Sequence, residues 1–206
     1  MSQVNFPTEG QINTDSKLAN FLREFIADNN ITKVLETGTW NGCGSTRVLY
    51  ESLKDVYNPK LVSFETDKRY FHLASSLYTE IDWIDIIHGS IITPDDFIIA
   101  ETGEYPIWLA EDIARYNTCG HFDVLDYEFE LAFLDSTEFG GFAELKLVEN
   151  LCKYVVLDDT MPPETQKHDK SREYCLENHK CIIDDTDDRN GWAVFEMEEI
   201  SKSVND

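Results

Sequence analysis

The stretch Glu36-Thr37-Gly38-Thr39-Trp40-Asn41-Gly42-Cys43-Gly44-Ser45 has the residue types and spacing of a ligand-binding turn. Apolar Val34 and Leu35 lead into an acid and then into glycines. Gly38 and Gly42 allow the backbone to bend sharply and to approach a ligand that a Cβ would obstruct. The turn is not a dinucleotide fingerprint, because G-x-G-x-x-G would need a second glycine at position 40, where Trp40 stands. Glu36 ahead of the turn suits a ligand with an amino group better than a pyrophosphate. A second apolar stretch ends in Glu65, about where doubly wound folds place the carboxylate that accepts ribose hydroxyls. Together the two features point to an adenosine ligand.

A second constellation is Phe133-Leu134-Asp135-Ser136-Thr137-Glu138 with Val156-Leu157-Asp158-Asp159-Thr160. Carboxylates that follow adjacent parallel strands converge on one crevice. Three acids without a buried basic partner repel one another unless a cation or protons neutralise them. A divalent cation with oxygen ligands, such as Mg²⁺, resolves that conflict and makes Asp135, Asp158 and Asp159 candidate metal ligands. A second reading stays open: Asp158 and Asp159 cap the following helix, and Asp135 contacts a cofactor amine or orders its loop.

The elements that must position these residues follow from periodicity. Leu18, Phe21, Leu22, Phe25 and Ile26 form one stripe of a helix over 15–29, with Thr14, Asp15 or Ser16 as its cap. Strands are predicted at 33–36, 61–65, 83–87, 131–135 and 154–158, and helices from the glycine turn to Leu53, over 68–79 and over about 142–150. Alternating strands and helices with near-continuous apolar strands call for a parallel sheet covered on both faces, with ligands at the carboxyl ends of the strands. At the end of the chain, Asn190-Gly191 between 180–183 and 192–196 signals a hairpin, so the last strand should run antiparallel. The stretch Thr93 to Glu130 is longer and more acidic than a minimal crossover. Its apolar Ile107, Trp108, Leu109, Ile113 and Tyr116 predict a helix that either lies over the strand ends as a lid outside the core or belongs to an ordinary long crossover.

Composition bounds the function. The chain of 206 residues fits a single domain over 1–206, with 93–130 as its lid insertion. A formal net charge of −23 disfavours binding to nucleic acid or to an anionic membrane and accommodates a cationic ligand or a metal ion. No apolar run reaches the length of a membrane span, and five cysteines without a C-x-x-C pair argue against a disulfide framework or structural zinc. The expectation is a cytoplasmic protein with a reduced, largely buried set of thiols.

On the motifs around Glu36, Gly38, Gly42 and Glu65, the chain from Lys33 to Phe195 resembles the class I S-adenosylmethionine-dependent methyltransferases. Within them it is similar to the small-molecule O-methyltransferases of the catechol type and of methyltransferase family 24. The resemblance implies a Rossmann-like α/β fold with a doubly wound seven-stranded sheet of order 3-2-1-4-5-7-6, strand 7 antiparallel. It also implies that Glu36, Gly38, Thr39, Trp40 and Gly42 line the methionine end of S-adenosylmethionine, that Glu65 holds the ribose, and that Ser90 contacts the adenine side.

Catechol-type enzymes carry Asp, Asp and Asn where Asp135, Asp158 and Asp159 stand, which implies a divalent cation such as Mg²⁺. Glu138 replaces their lysine base. The candidate catalytic residues are therefore Asp135, Glu138 and His168, with Lys167 beside them, and Met161 to Ser171 falls where the family has its substrate-side loop. The expected activity is methyl transfer to the hydroxyl of a small-molecule acceptor. Two alternatives stand beside it: a cofactor-binding protein of the same fold without catalysis, and another nucleotide-dependent enzyme on a doubly wound scaffold.

Overall fold

The computed structural model describes residues 10, 12–97, 106–125, 127–161 and 167–198. Ser16 caps the first helix, its hydroxyl accepting from the Ala19 amide at 3.1 Å. Helix α1 (Lys17–Asp28) then buries Leu18, Leu22 and Ile26. Strand β1 (Lys33–Thr37) runs into the glycine turn and helix α2 (Ser45–Leu53). β2 (Lys60–Glu65), α3 (Lys68–Tyr78) and β3 (Ile84–Ser90) repeat the pattern. A single 3₁₀ turn at Pro94–Asp96 precedes α4 (Pro106–Thr118) and the two-residue strand β4 (Gly120–His121). β5 (Leu131–Leu134), α5 (Gly141–Val148) and β6 (Tyr154–Asp158) follow. Last come α6 (Asp169–Asn178), which the periodicity does not reveal, and the hairpin β7 (Lys180–Asp185) and β8 (Trp192–Glu196).

The sheet order is β4-β3-β2-β1-β5-β6-β8-β7. It contains the expected seven-strand order and adds an eighth strand, because Gly120–His121 pairs in parallel with Gly89–Ser90 at the edge. Among the described residues β8 alone runs against the rest of the sheet, pairing antiparallel with β6 and β7 as the Asn190-Gly191 turn requires. The strand order reverses at β1, with β2 and β3 on one side and β5 and β6 on the other, and this leaves a crevice at the carboxyl ends of β1 and β5.

Successive strand residues divide between two cores, as the pleat demands. Val34, Leu61, Leu131, Val156 and Val194 face α1 and α2. Leu35, Val62, Ala132, Val155 and Ala193 face the opposite way, toward a cluster that includes Leu145 and Val148 of α5 and Cys175 of α6.

The stretch 93–130 departs from the expectation of a lid outside the core. Phe97, Tyr116, Val124 and Phe129 are buried in the second core, with Phe97 and Tyr116 edge to face at 4.9 Å. The acid load does not prevent this, since buried Asp112 accepts from Thr137 and pairs with Arg115. Ile107 and Trp108, by contrast, lie on the exposed side of α4. Residues 98–105 and 126 of this stretch lie outside the described residues.

Removing a buried aromatic ring leaves a cavity, so Phe97→Ala should cost about 3 kcal/mol in urea unfolding. A loss below about 0.5 kcal/mol would mean that this stretch is only draped on the core.

Candidate active site

At the end of β1 the chain turns through Gly38 at φ +89°, a left-handed conformation that favours glycine. The amides of Gly38 and Thr39 both donate to the Phe64 carbonyl, at 3.0 and 3.2 Å, and Asp135 donates its amide to Thr37 O at 3.0 Å. Any Cβ on Gly38 would collide with the Asp135 carbonyl. Gly42, at φ +78°, is also left-handed and tightly packed: a Cβ there would lie 3.0 Å from the Tyr78 ring, whose hydroxyl donates to Gly42 O at 2.6 Å. Between the glycines Trp40 also adopts positive φ, and its amide donates to Glu65 Oε2 at 2.6 Å. Backbone strain at a non-glycine residue is maintained here by that charge-assisted bond.

These turns open a cleft of about 390 Å³, within the range of small-molecule sites. Six carboxylates line it, Glu65, Asp67, Asp112, Asp135, Glu144 and Asp159, against two cations, Arg115 and Lys167. Glu65 also accepts from the Asp67 amide at 2.7 Å, yet burial pushes its pKa up to about 7. Burial does the same to Glu144, also about 7, although Ser136 and Thr37 donate their hydroxyls to it at 2.7 and 2.8 Å.

At the carboxyl ends of β5 and β6, oxygens of Asp135, Asp158 and Asp159 lie within 4.8 Å of one another. The expectation that they lack a basic partner is corrected here. Lys167 Nζ donates to Asp135 Oδ1 at 2.7 Å and pairs with Asp159 Oδ2 at 3.2 Å, while the Arg189 guanidinium pairs with Asp158. Asn190 Nδ2 adds a bond to Asp159 Oδ1 at 3.1 Å. Burial works against the charge on Lys167, but Asp135 and Asp159 outweigh it and raise the lysine pKa above its ordinary value.

No protein-family model matches the chain, and no curated protein sequence does. Solved structures are similar in three dimensions. A methyltransferase from Podospora anserina with bound S-adenosylhomocysteine aligns at 15% identity over 88% of this chain and 78% of its own, with a TM-score of 0.61. The O-methyltransferase of Bacillus cereus, in complex with S-adenosylhomocysteine, aligns at 13% identity over 92% and 84%, TM-score 0.57. An O-methyltransferase of tomaymycin synthesis from Streptomyces achromogenes, in complex with S-adenosylmethionine, aligns at 16% identity over 87% and 79%, TM-score 0.57. The fold is that of these methyltransferases.

On this methyltransferase fold Gly38, Thr39, Trp40, Glu65, Ser90, Asp135 and Asp159 all line the cleft. Ser90 is buried, and its hydroxyl accepts from the Ile92 amide at 3.1 Å. Glu36 is placed elsewhere. It is sealed beneath the turn, where its carboxylate accepts from Thr46 at 2.8 Å and Ser63 at 2.5 Å, and burial lifts its pKa to about 7.

Gly42, Glu138, Asp158 and His168 also stand off the cleft wall. His168 is fully buried, its ring against Gly141, and burial lowers its pKa to about 3, so the neutral imidazole belongs to the packing of α6. Of the expected substrate-side loop, 162–166 lie outside the described residues. Glu144 is the residue that the sequence reading misses. The signal was there, because Gly141, Glu144, Leu145 and Val148 form the buried stripe of α5 and one of them is an acid.

The three glutamates with raised pKa make stability depend on pH. Between the unfolded value near 4.5 and about 7 the folded protein binds more protons than the unfolded chain, so stability falls as pH rises through that window. At about 1.4 kcal/mol per pKa unit, Glu144→Gln should remove on the order of 3 kcal/mol of that loss. Urea unfolding at pH 5 and pH 8 measures it; an identical pH dependence in the variant would mean that Glu144 is an ordinary solvated carboxylate.

Proposed function

We propose that the protein is an S-adenosylmethionine-dependent methyltransferase that acts on the hydroxyl of a small-molecule acceptor. The observation that carries this reading is Glu65 facing the cleft at the end of β2, hydrogen-bonded to the glycine turn of β1, on a fold whose solved relatives hold S-adenosylmethionine or its demethylated product. A carboxylate there accepts two ribose hydroxyls. The excess of carboxylates around the cleft suits a methyl donor that carries a sulfonium and an ammonium. In this reading Gly38, Thr39 and Trp40 pack against the methionine end, Ser90 meets the adenine, and Asp135 faces the ammonium.

Methyl transfer is a displacement. An acceptor oxygen attacks the methyl carbon opposite sulfur, the S–C bond breaks, and the sulfonium becomes a neutral thioether while the hydroxyl proton leaves. Positioning supplies much of the rate, and a group that takes the proton supplies the rest. Glu144 suits that second task. Its proton affinity is matched to neutral pH, and the Ser136 hydroxyl bonded to it lines the cleft. The acceptor proton passes to Ser136 as the serine proton passes to Glu144.

The divalent cation expected from the sequence does not fit the residues as they stand. Lys167 Nζ already bonds two of the three carboxylates that would hold the ion. No step of the reaction is assigned to a metal.

Isothermal titration with S-adenosylhomocysteine tests the reading. Binding is expected, and Glu65→Ala should weaken it by about 1–3 kcal/mol, the usual loss for hydrogen bonds to a charged group. No binding at millimolar ligand, or unchanged affinity in a folded Glu65→Ala protein, would overturn the assignment.

A further inference from the structure

We propose that Lys167 is a built-in cation: its ammonium occupies the position of a divalent ion among Asp135, Asp158 and Asp159, so the protein binds no divalent metal there. The occupant of the cluster follows from the geometry alone, and its use in methyl transfer rests on the reading above.

An oxygen-ligated Mg²⁺ or Mn²⁺ needs carboxylate oxygens with free lone pairs converging at about 2.0–2.2 Å on one point. In this cluster every carboxylate already has at least one oxygen engaged by a donor. Lys167 takes Asp135 Oδ1 and Asp159 Oδ2, Asn190 takes Asp159 Oδ1, and Arg189 takes Asp158. Lys167 and Arg189 already answer the three carboxylates, so a dication would be added beside an ammonium and a guanidinium.

Lys167 is also held in place. The carbonyl of Lys167 and the ring of His168 pack against Gly141 at the start of α5, where no Cβ could be added. His168 precedes α6 and is fully buried, and the Arg172 amide donates to its carbonyl at 2.8 Å. His168 and Gly141 therefore act as positioning residues for the lysine. The Lys167 ammonium has three N–H groups: the two carboxylates take two, and the third makes a long bond of 3.4 Å to the Asp135 carbonyl, which an acceptor oxygen in the cleft that this side chain lines can displace. It would hold that oxygen and favour its deprotonated form, the task a metal performs elsewhere.

The test is titration of the intact protein with MnCl₂, by calorimetry and by the paramagnetic signal of free Mn²⁺. Wild type, Lys167→Met, Asp159→Asn and the double variant are compared. Wild type should take up Mn²⁺ no more tightly than Asp159→Asn does, since any uptake comes from scattered surface acids. Lys167→Met should gain a site that binds at least ten-fold more tightly and that Asp159→Asn abolishes. Wild-type binding at micromolar Mn²⁺ that is lost in Asp159→Asn would overturn the proposal, and so would a folded Lys167→Met that gains no site. If Lys167→Met does not fold, the comparison of wild type with Asp159→Asn decides alone. S-adenosylhomocysteine binding measured on the same samples separates the two claims: its absence would count against the methyltransferase reading and leave the metal result standing.

Discussion

The bare backbone of Gly38 against the Asp135 carbonyl is the constraint on which the cleft depends. β1 and β5 are neighbours in the centre of the sheet, and their chains must part at its carboxyl edge. They part in contact because Gly38 has no side chain and takes a left-handed turn, which lets Gly38 and Thr39 donate to β2 while Asp135 donates to Thr37. With the turn pinned in this way, Trp40 presents its amide to Glu65, and Asp135 arrives at the cleft wall beside Lys167. A bulkier residue at position 38 would separate the two strand ends and with them the two halves of the site.

The second organising fact is the handling of negative charge. A chain with a net charge of −23 gathers carboxylates along and beneath one cleft, a costly arrangement unless they are answered. The answers differ in kind. Glu36, Glu65 and Glu144 are met by hydroxyls and amides, and burial shifts their proton affinity toward neutrality. Asp112, Asp135, Asp158 and Asp159 are met by Arg115, Lys167 and Arg189. The first group is answered by neutral donors and the second by cations, and burial also raises the pKa of Asp135 and, to about 7, that of Asp158.

Much of this was legible in the sequence because its signals are local. The alternation of strand and helix, the glycine turn, Glu65 at a strand end and the Asn190-Gly191 hairpin each lie within a few consecutive residues, and each is where the pattern places it. What was not legible depends on distant partners. Lys167 reaches back to Asp135 and Arg189 to Asp158 from loops about thirty residues further along the chain, so the three acids read as a metal site. The strand Gly120–His121 is too short to show a period, and it pairs only because β3 offers a free edge. The acidic stretch 93–130 read as surface because the bonds from Arg115 and Thr137 that bury Asp112 cannot be seen from composition. The placement of Glu36 beneath the turn follows likewise from Ser63 on the neighbouring strand.

The central claim is that this cleft holds an adenosyl sulfonium cofactor, with Glu65 at the ribose and Lys167 as the resident cation. A crystal structure of the protein grown with S-adenosylhomocysteine and millimolar Mn²⁺, with anomalous data collected for manganese, tests it most directly. The account predicts ribose hydroxyls on Glu65, the amino-acid end along Gly38 to Trp40, the Lys167 ammonium still on Asp135 and Asp159, and no anomalous peak between them. A cofactor bound away from Glu65, or a manganese peak among Asp135, Asp158 and Asp159 with Lys167 displaced, would contradict it.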